Sequence, residues 1–211
     1  MNATLKKQET VTISAPKIRT AVFEIVGTAP LMINKYSRKA QEAMREQQAA
    51  GQQSKSKKKR DPKDFDALYE AAKYKSDEGW CGINASSFRN ALIGACRLVN
   101  YKMTLAKLSI FVVADGFDAE DGTPLVRIYG DKPRMDVRPA RNANGGFDLR
   151  ARPMWMKWSC KLKIQWDEEQ FSLQDVSNLL ARAGIQGGVG DGRPSSKMSS
   201  GIGLGTFTVK S

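Results

Sequence analysis

Histidine is missing altogether from the 211 residues. Its absence removes the commonest general base and the commonest metal ligand of proteins. Ser-His and Cys-His nucleophile pairs are excluded with it. Cysteine is scarce as well. Cys81, Cys96 and Cys160 are odd in number, each lies in an apolar context, and no Cys-x-x-Cys pair occurs. They read as buried free thiols in a reducing cytoplasm, not as a disulfide framework or a zinc site. Long apolar runs are lacking too. No stretch approaches the ~20 residues that a membrane-spanning helix needs, and Met1 to Glu9 holds no apolar core of a secretory leader. The expectation is a cytoplasmic protein with no metal, no cofactor and no membrane partner. Any catalysis would have to rest on carboxylates with a divalent metal, or on Lys and Tyr.

Positive charge, by contrast, is plentiful. Lysine and arginine number 34 against 22 acidic residues, a net charge of +12, and the pI is about 9.7. An excess of this size points to a polyanion, nucleic acid first and an anionic membrane surface second. The alternative is a soluble protein that is simply basic. Apolar residues make up 41%, enough for a real core in one domain spanning 1–211.

Read along the chain, residues 18–26 are β-branched and aromatic enough for a strand closed by Gly27. Tyr36 to Ala50 reads as a polar helix. Gly51 to Arg60, with Lys55, Lys57, Lys58, Lys59 and Arg60 and no apolar side chain, reads as a mobile loop. Phe65, Leu68, Tyr69 and Ala72 return to helical spacing. Gly82 to Asn100 carries the strongest helical stripe, Phe88, Ala91, Leu92, Ala95 and Val99, with Asn84 or Ser86 as the cap. Leu108 to Ala114 and Leu125 to Tyr129 read as strands around a turn at Asp121-Gly122.

Met154 to Trp166 alternates strictly. Met154, Met156, Trp158, Cys160, Leu162, Ile164 and Trp166 fall on the core face, and Trp155, Lys157, Ser159, Lys161, Lys163 and Gln165 on the outer one. Ser172 caps a helix with Leu173, Val176, Leu179, Leu180 and Ala183 inward, ended by Gly184, and Gly205 to Val209 forms a last strand. The predicted fold is α+β. It is a ferredoxin-like, RRM-like βαββαβ antiparallel sheet with two helices and two insertions, at 28–81 and 130–153. Such a sheet often leaves one face open.

Two segments are specific. One is Gly82-Ile83-Asn84-Ala85-Ser86-Ser87-Phe88-Arg89, running to Arg97. The other is Gly187-Gly188-Val189-Gly190 followed by Ser199-Ser200-Gly201-Ile202-Gly203-Leu204-Gly205-Thr206-Phe207. Together they resemble the RAMP superfamily of CRISPR systems, in which a Ser-Ser turn enters the first helix and a glycine-rich loop precedes the final strand. Asn84-Ala85 stands where that family commonly has Pro-Gly, and Asn90 where it often has Gly. The likeness is nearest to the backbone subunit that coats guide RNA. The compact size and Pro30-Leu31-Met32 also look like short phage-encoded proteins. The resemblance implies repeated self-association along a strand.

The residues support binding in their own right. Glycines such as Gly188, Gly190, Gly201 and Gly203 let backbone approach a phosphodiester and aim N–H groups at it. Ser199 and Ser200 add neutral donors, and Arg193 and Lys197 add charge. A plain surface loop is the alternative. Arg89 and Arg97 lie opposite the apolar stripe of their helix and either meet phosphate or are merely solvated. Lys157, Lys161 and Lys163 with Trp155 offer charge and a stacking surface, unless Trp155 is covered by the insertion. Lys132, Arg134, Arg138, Arg141, Arg150 and Arg152 enrich 131–153, which the resemblance reads as a thumb-like hairpin turning near Gly145-Gly146. The expected function is non-catalytic binding of single-stranded nucleic acid, RNA before DNA, mainly through phosphates.

A phage single-stranded DNA-binding or annealing protein is one rival. A metal-dependent nuclease using Asp115, Asp121 or Asp191 is another. Asp115, Asp118, Glu120 and Asp121 share one loop, but their spacing fits no calcium loop. The resemblance singles out Asp136, because some guide-coating subunits cut target RNA from a loop aspartate.

Overall fold

Chain order and alternation settle where each strand goes. The computed structural model describes residues 13–36, 42, 63–141, 147–196 and 201–210. The elements are β1 (Ile18–Gly27), β2 (Leu31–Met32), α1 (Phe65–Ala71), β3 (Tyr74–Lys75), β4 (Cys81–Asn84), α2 (Ala85–Ala95) and α3 (Met103–Ser109). They continue with β5 (Ile110–Val113), β6 (Gly116–Phe117), β7 (Pro124–Arg127), β8 (Tyr129–Gly130), β9 (Arg134–Arg141), β10 (Phe147–Trp155), β11 (Trp158–Asp167), α4 (Leu173–Arg182) and β12 (Phe207–Val209). The protein is thus mixed α and β, with four helices among the described residues and antiparallel sheets. It has more strands than the four of a βαββαβ frame.

The central sheet has the order β12-β1-β11-β5, with β8 also on β11. Two smaller sheets, β2-β10-β9 and β3-β4-β7-β6, hold the remaining strands. β1 and β11 pair continuously from Ile18↔Asp167 to Val26↔Ser159. Ile25, Cys160, Leu162, Ile164 and Trp166 point from that pair into the core, where they meet Phe88 and Leu92 of α2 and Val176 and Leu180 of α4. Phe207 closes the layer edge-on to both Phe88 and Trp158, with ring centroids 6.0 and 6.1 Å apart.

The helices begin where the caps are. The Asn84 side chain accepts the Ser86 N–H at 2.9 Å. Ser172 and Asp175 form a reciprocal capping box, whose hydrogen bonds hold the Asp175 carboxyl below its ordinary pKa. Phe88, Leu92 and Ala95 are buried as expected, but Val99 is 47% exposed because the chain tightens into a 3-10 turn over Cys96–Val99. Leu173 is exposed too, and α4 runs past Gly184 into a π turn over Ala183–Gly187.

Three expected strands change. Leu108 and Ser109 belong to α3 rather than to a strand, and Leu108 is 76% exposed. Leu125 to Tyr129 divides between β7 in a small sheet and β8 on the central one. The single strand expected over Met154 to Trp166 breaks at Met156-Lys157 into β10 and β11, which lie in different sheets. The expected helix over Tyr36 to Ala50 and the loop over Gly51 to Arg60 fall outside the described residues, apart from Tyr36 and Glu42.

A buried ion pair pins the segment after β2. Lys35 Nζ lies 2.5 Å from Asp118 Oδ1 and 2.7 Å from Glu120 Oε2, and the Lys35 and Asp118 side chains are nearly inaccessible. Burial opposes the ammonium, yet its hydrogen bonds to Asp118 and Glu120 outweigh that and raise the Lys35 pKa above its ordinary value. Asp118 also accepts the N–H groups of Lys75, Glu120 and Asp121, so its charge is well satisfied. Removing one member strands the other in a dry site. Asp118→Ala is expected to lower unfolding free energy by about 3–5 kcal/mol, with Lys35→Met recovering part of that loss in the double variant. Urea denaturation of the three variants measures both effects.

Candidate nucleic-acid interface

Among the described residues the central sheet is covered on one face only. On the other face Val22, Val26 and Ile18 are 61%, 43% and 49% exposed. Strand register places their neighbours. Val22 faces Lys163 and Glu24 faces Lys161 across β1 and β11. Gln165 faces Phe111 on β5, and Ser159 faces Tyr129 on β8. Paired residues share a face, so Phe111, Tyr129, Lys161 and Lys163 all lie on the open one.

Each of the two aromatic rings carries a guanidinium. Arg89 Cζ sits 5.1 Å from the Phe111 centroid, and Arg127 Cζ sits 5.2 Å from that of Tyr129. Ser159 and Gln165 are six positions apart along β11, so the rings stand about 20 Å from each other at ~3.3 Å per residue. Lys161 and Lys163 lie between them, exposed. Lys161 is 3.8 Å from Glu24, which also holds Lys210 at 3.1 Å. These lysines hold Glu24 below its ordinary pKa, so the one acid in this stretch is charged and partly neutralised.

The expected site residues separate into those that join this face and those that do not. Lys161 and Lys163 do. Lys157 is exposed but sits in the connection after β10, off the ladder. Trp155, expected as the stacking ring, is a correction: it is only 3% exposed and pairs with Leu31 of β2. The break at Met156-Lys157 resets the alternation, so Trp155 turns inward like Trp158. Phe111 was hidden in the sequence inside an apolar run. Its outward position follows from Ile110 being fully buried beside it. Arg89 is half-buried and also donates to the Ile110 carbonyl at 3.0 Å and to that of Lys107, closing the end of α3. Arg97 is exposed in the 3-10 turn after α2.

The basic insertion is a β-hairpin, β9 with β10, registered from Phe147↔Arg141 to Met154↔Arg134. Arg134, Asp136 and Arg138 share one face with Arg150 and Arg152. Met135, Val137, Leu149 and Phe147 expose an apolar face on the other side. Alternation was present in the sequence here, obscured by its density of charge. Arg138 lies 2.5 Å from Asp136, which occupies the carboxylate. Lys132 and Arg134 are exposed, Arg150 faces Arg138 across the hairpin, and Arg152 is buried against Asp191. Arg141 ends β9, with its side chain outside the described residues. Tyr69 of α1 donates to the Pro133 carbonyl at 2.6 Å, and Lys63 ion-pairs with Asp148, fixing α1 to the hairpin.

The glycine-rich loop folds back on itself. The N–H groups of Gly188, Val189, Asp191, Ser195, Ile202, Leu204 and Gly205 all donate to carbonyls of the chain, so those N–H groups are not presented to a phosphate as expected. Gly190 has φ +74°, and a Cβ there would lie 2.4 Å from the Met32 carbonyl oxygen, which makes this glycine a packing requirement. Gly203, φ +76°, would meet nothing within 4 Å and stands open. Gly201 and Arg193 lie in the same loop, and Arg193 donates to the Gly190 carbonyl at 3.0 Å. Lys197, Ser199 and Ser200 lie outside the described residues.

The acidic groups are engaged. Asp115 accepts the Arg127 N–H, Asp121 accepts that of Thr123, and Asp118 and Glu120 hold Lys35. Among the described residues no group of three or more His, Cys, Asp or Glu converges as metal ligands. Cys96 and Cys160 are buried and Cys81 is half-buried, and burial pushes all three thiols up. A cleft of about 770 Å³ lies by Tyr101, Phe171 and Ile185, and no expected binding residue lines it. No helix among the described residues is long and apolar enough to cross a membrane. No protein-family model matches the chain, and neither does any curated protein.

The two tryptophan and phenylalanine positions are separable by stability. Trp155→Ala is expected to cost about 3–5 kcal/mol by emptying core volume. Phe111→Ala, at a partly exposed ring, is expected to cost about 1 kcal/mol or less. Chemical denaturation of both variants tests the assignment, and the reverse order would place Phe111 in the core.

Proposed function

We propose that this chain binds single-stranded nucleic acid, RNA in preference to DNA, without catalysing a reaction. The observation that carries the reading is the open face of the central sheet, where Lys161 and Lys163 stand between the Phe111–Arg89 and Tyr129–Arg127 pairs. An aromatic ring accepts the π-face of any base, contributing ~1–3 kcal/mol, while neighbouring cations track the phosphates. A net charge of +12 extends the attraction beyond the contact surface.

The fold reading that goes with this is a ferredoxin-like frame made of β1, α2, β5, β11, α4 and β12. The strand order β12-β1-β11-β5 supports it, since a βαββαβ chain places its strands 4-1-3-2. The small sheets and the β9–β10 hairpin are then elaborations on that frame. The likeness of Gly82 to Arg97 and of the glycine-rich loop to the RAMP superfamily supports RNA as the ligand and repeated copies along the strand as the assembly. The non-catalytic part rests on the engagement of Asp115, Asp118, Asp121 and Asp136 in turns and ion pairs.

Anisotropy with labelled single-stranded RNA and DNA of equal sequence tests the proposal. Affinity is expected to fall by orders of magnitude between ~50 and ~200 mM salt, and Lys163→Ala to reduce the log–log salt slope by about 0.7. Phe111→Ala and Tyr129→Ala are each expected to weaken binding by ~1–3 kcal/mol at constant slope. A flat salt response, or full affinity in all three variants, would remove the open face as the site. Labelled RNA held with magnesium or manganese is expected to stay intact, and cleavage lost in Asp136→Ala would make the protein a nuclease.

A further inference from the structure

Arg152 is an arginine out of place. It lies on β10 at the base of the hairpin, its side chain is 6% exposed, and among the described residues one carboxylate pairs with it, Asp191 Oδ2, 3.1 Å from Nη1, while Asp136 stands opposite it across the hairpin. Its Nε is buried and, among the described residues, donates to no acceptor. A buried guanidinium normally draws a bidentate anion or several acceptors. Here the charge is held by one hydrogen bond and one donor is left unmet, an imbalance that in a native protein calls for an explanation.

The surroundings supply one. Asp191 is 35% exposed, so the carboxylate sits on the solvent side of the buried guanidinium. It is carried by the glycine-rich loop between Gly190 and Gly192, both with φ +74°. Its own N–H is tied to the Met32 carbonyl at 2.8 Å, which fixes the backbone while the side chain remains able to turn. Arg193 brings a second guanidinium to the same turn through the Gly190 carbonyl, and among the described residues it meets no carboxylate. One guanidinium therefore meets Asp191 and a second lies two residues along the same turn, while Asp136, opposite Arg152 across the hairpin, is paired with Arg138.

We propose that Arg152 and Arg193 form a binding site for one phosphate-type oxyanion, and that the Asp191 carboxylate occupies it as a tethered stand-in until a phosphate takes its place. The exchange is one anion for another on Arg152, with Asp191 released to water. A tetrahedral phosphate offers more acceptor oxygens than a carboxylate and can reach Arg193 as well. Within the reading of this chain as a nucleic-acid-binding protein, the ligand is a backbone phosphodiester. The site then makes the glycine-rich loop respond to nucleic acid instead of merely touching it. Free phosphate is the other source of the same chemistry.

Asp191→Asn removes the competing charge and keeps an acceptor of the same shape. A tethered competitor acts at millimolar effective concentration or above, so its removal is expected to tighten phosphate binding by about tenfold or more. The readout is the arginine Nε–Hε NMR signal, assigned to Arg152 by its loss in Arg152→Lys, during titration with inorganic phosphate and with a dinucleotide at constant ionic strength. Saturable shifts in the native protein, at lower ligand concentration in Asp191→Asn, support the site. No shift in either protein, or equal midpoints in both, overturns it and leaves Arg152–Asp191 as a structural pair. If Asp191→Asn fails to fold, Asp191→Ser replaces it. The dinucleotide shifting the signal where free phosphate does not assigns the site to a phosphodiester, and the converse assigns it to free phosphate. A phosphate shift in a protein that binds no oligonucleotide would keep this site and discard the single-strand reading. Salt-dependent oligonucleotide binding with a silent Arg152 signal would do the opposite.

Discussion

The long antiparallel pairing of β1 with β11 is the constraint on which the rest of the molecule depends. Side chains alternate between faces along a strand, so a slip of one residue would turn Cys160, Leu162, Ile164 and Trp166 out to water and Lys161 and Lys163 into the core. The register from Ile18↔Asp167 to Val26↔Ser159 therefore decides two things together. It fixes what α2 and α4 pack on, and it fixes which cations stand on the uncovered side. The core and the candidate interface are opposite faces of the same two strands.

The elements with a strong single period were legible from the sequence. β1, the inward face of β11, the Phe88–Leu92 stripe and the Ser172 cap all appear where the pattern put them. What failed were boundaries between periods. Met156-Lys157 preserves the alternation on paper while the chain changes sheets, so Trp155 and Trp158 both end inside. Leu108 looked like the start of an apolar strand, but a short helix closed by Arg89 reaches it first. No local pattern announces a carbonyl capped by an arginine from another element.

Charge was easier to count than to place. The sequence listed a basic insertion and a basic strand, and both exist. Ion pairing then divides them. Arg138 pairs with Asp136 on its own strand and Arg152 with Asp191 of the glycine-rich loop, whereas Lys163 stands on an open sheet. Partners distant in sequence, such as Arg152 and Asp191, become visible only when the hairpin and the glycine-rich loop are brought together. Likewise the setting of Phe111 comes from its cross-strand neighbour Gln165 and from Arg89, neither of which its own segment contains.

The Lys35 pin bears on how this chain tolerates change. Lys35 holds Asp118 and Glu120 through its side chain, while its backbone N–H donates to the Ala72 carbonyl at the end of α1, 3.0 Å away. One residue thus ties the end of β2 to the end of α1 through its main chain and to the Asp118 turn through its side chain. The two ties are chemically independent, so a substitution at position 35 cuts the ion pair and leaves the backbone bond to α1 in place.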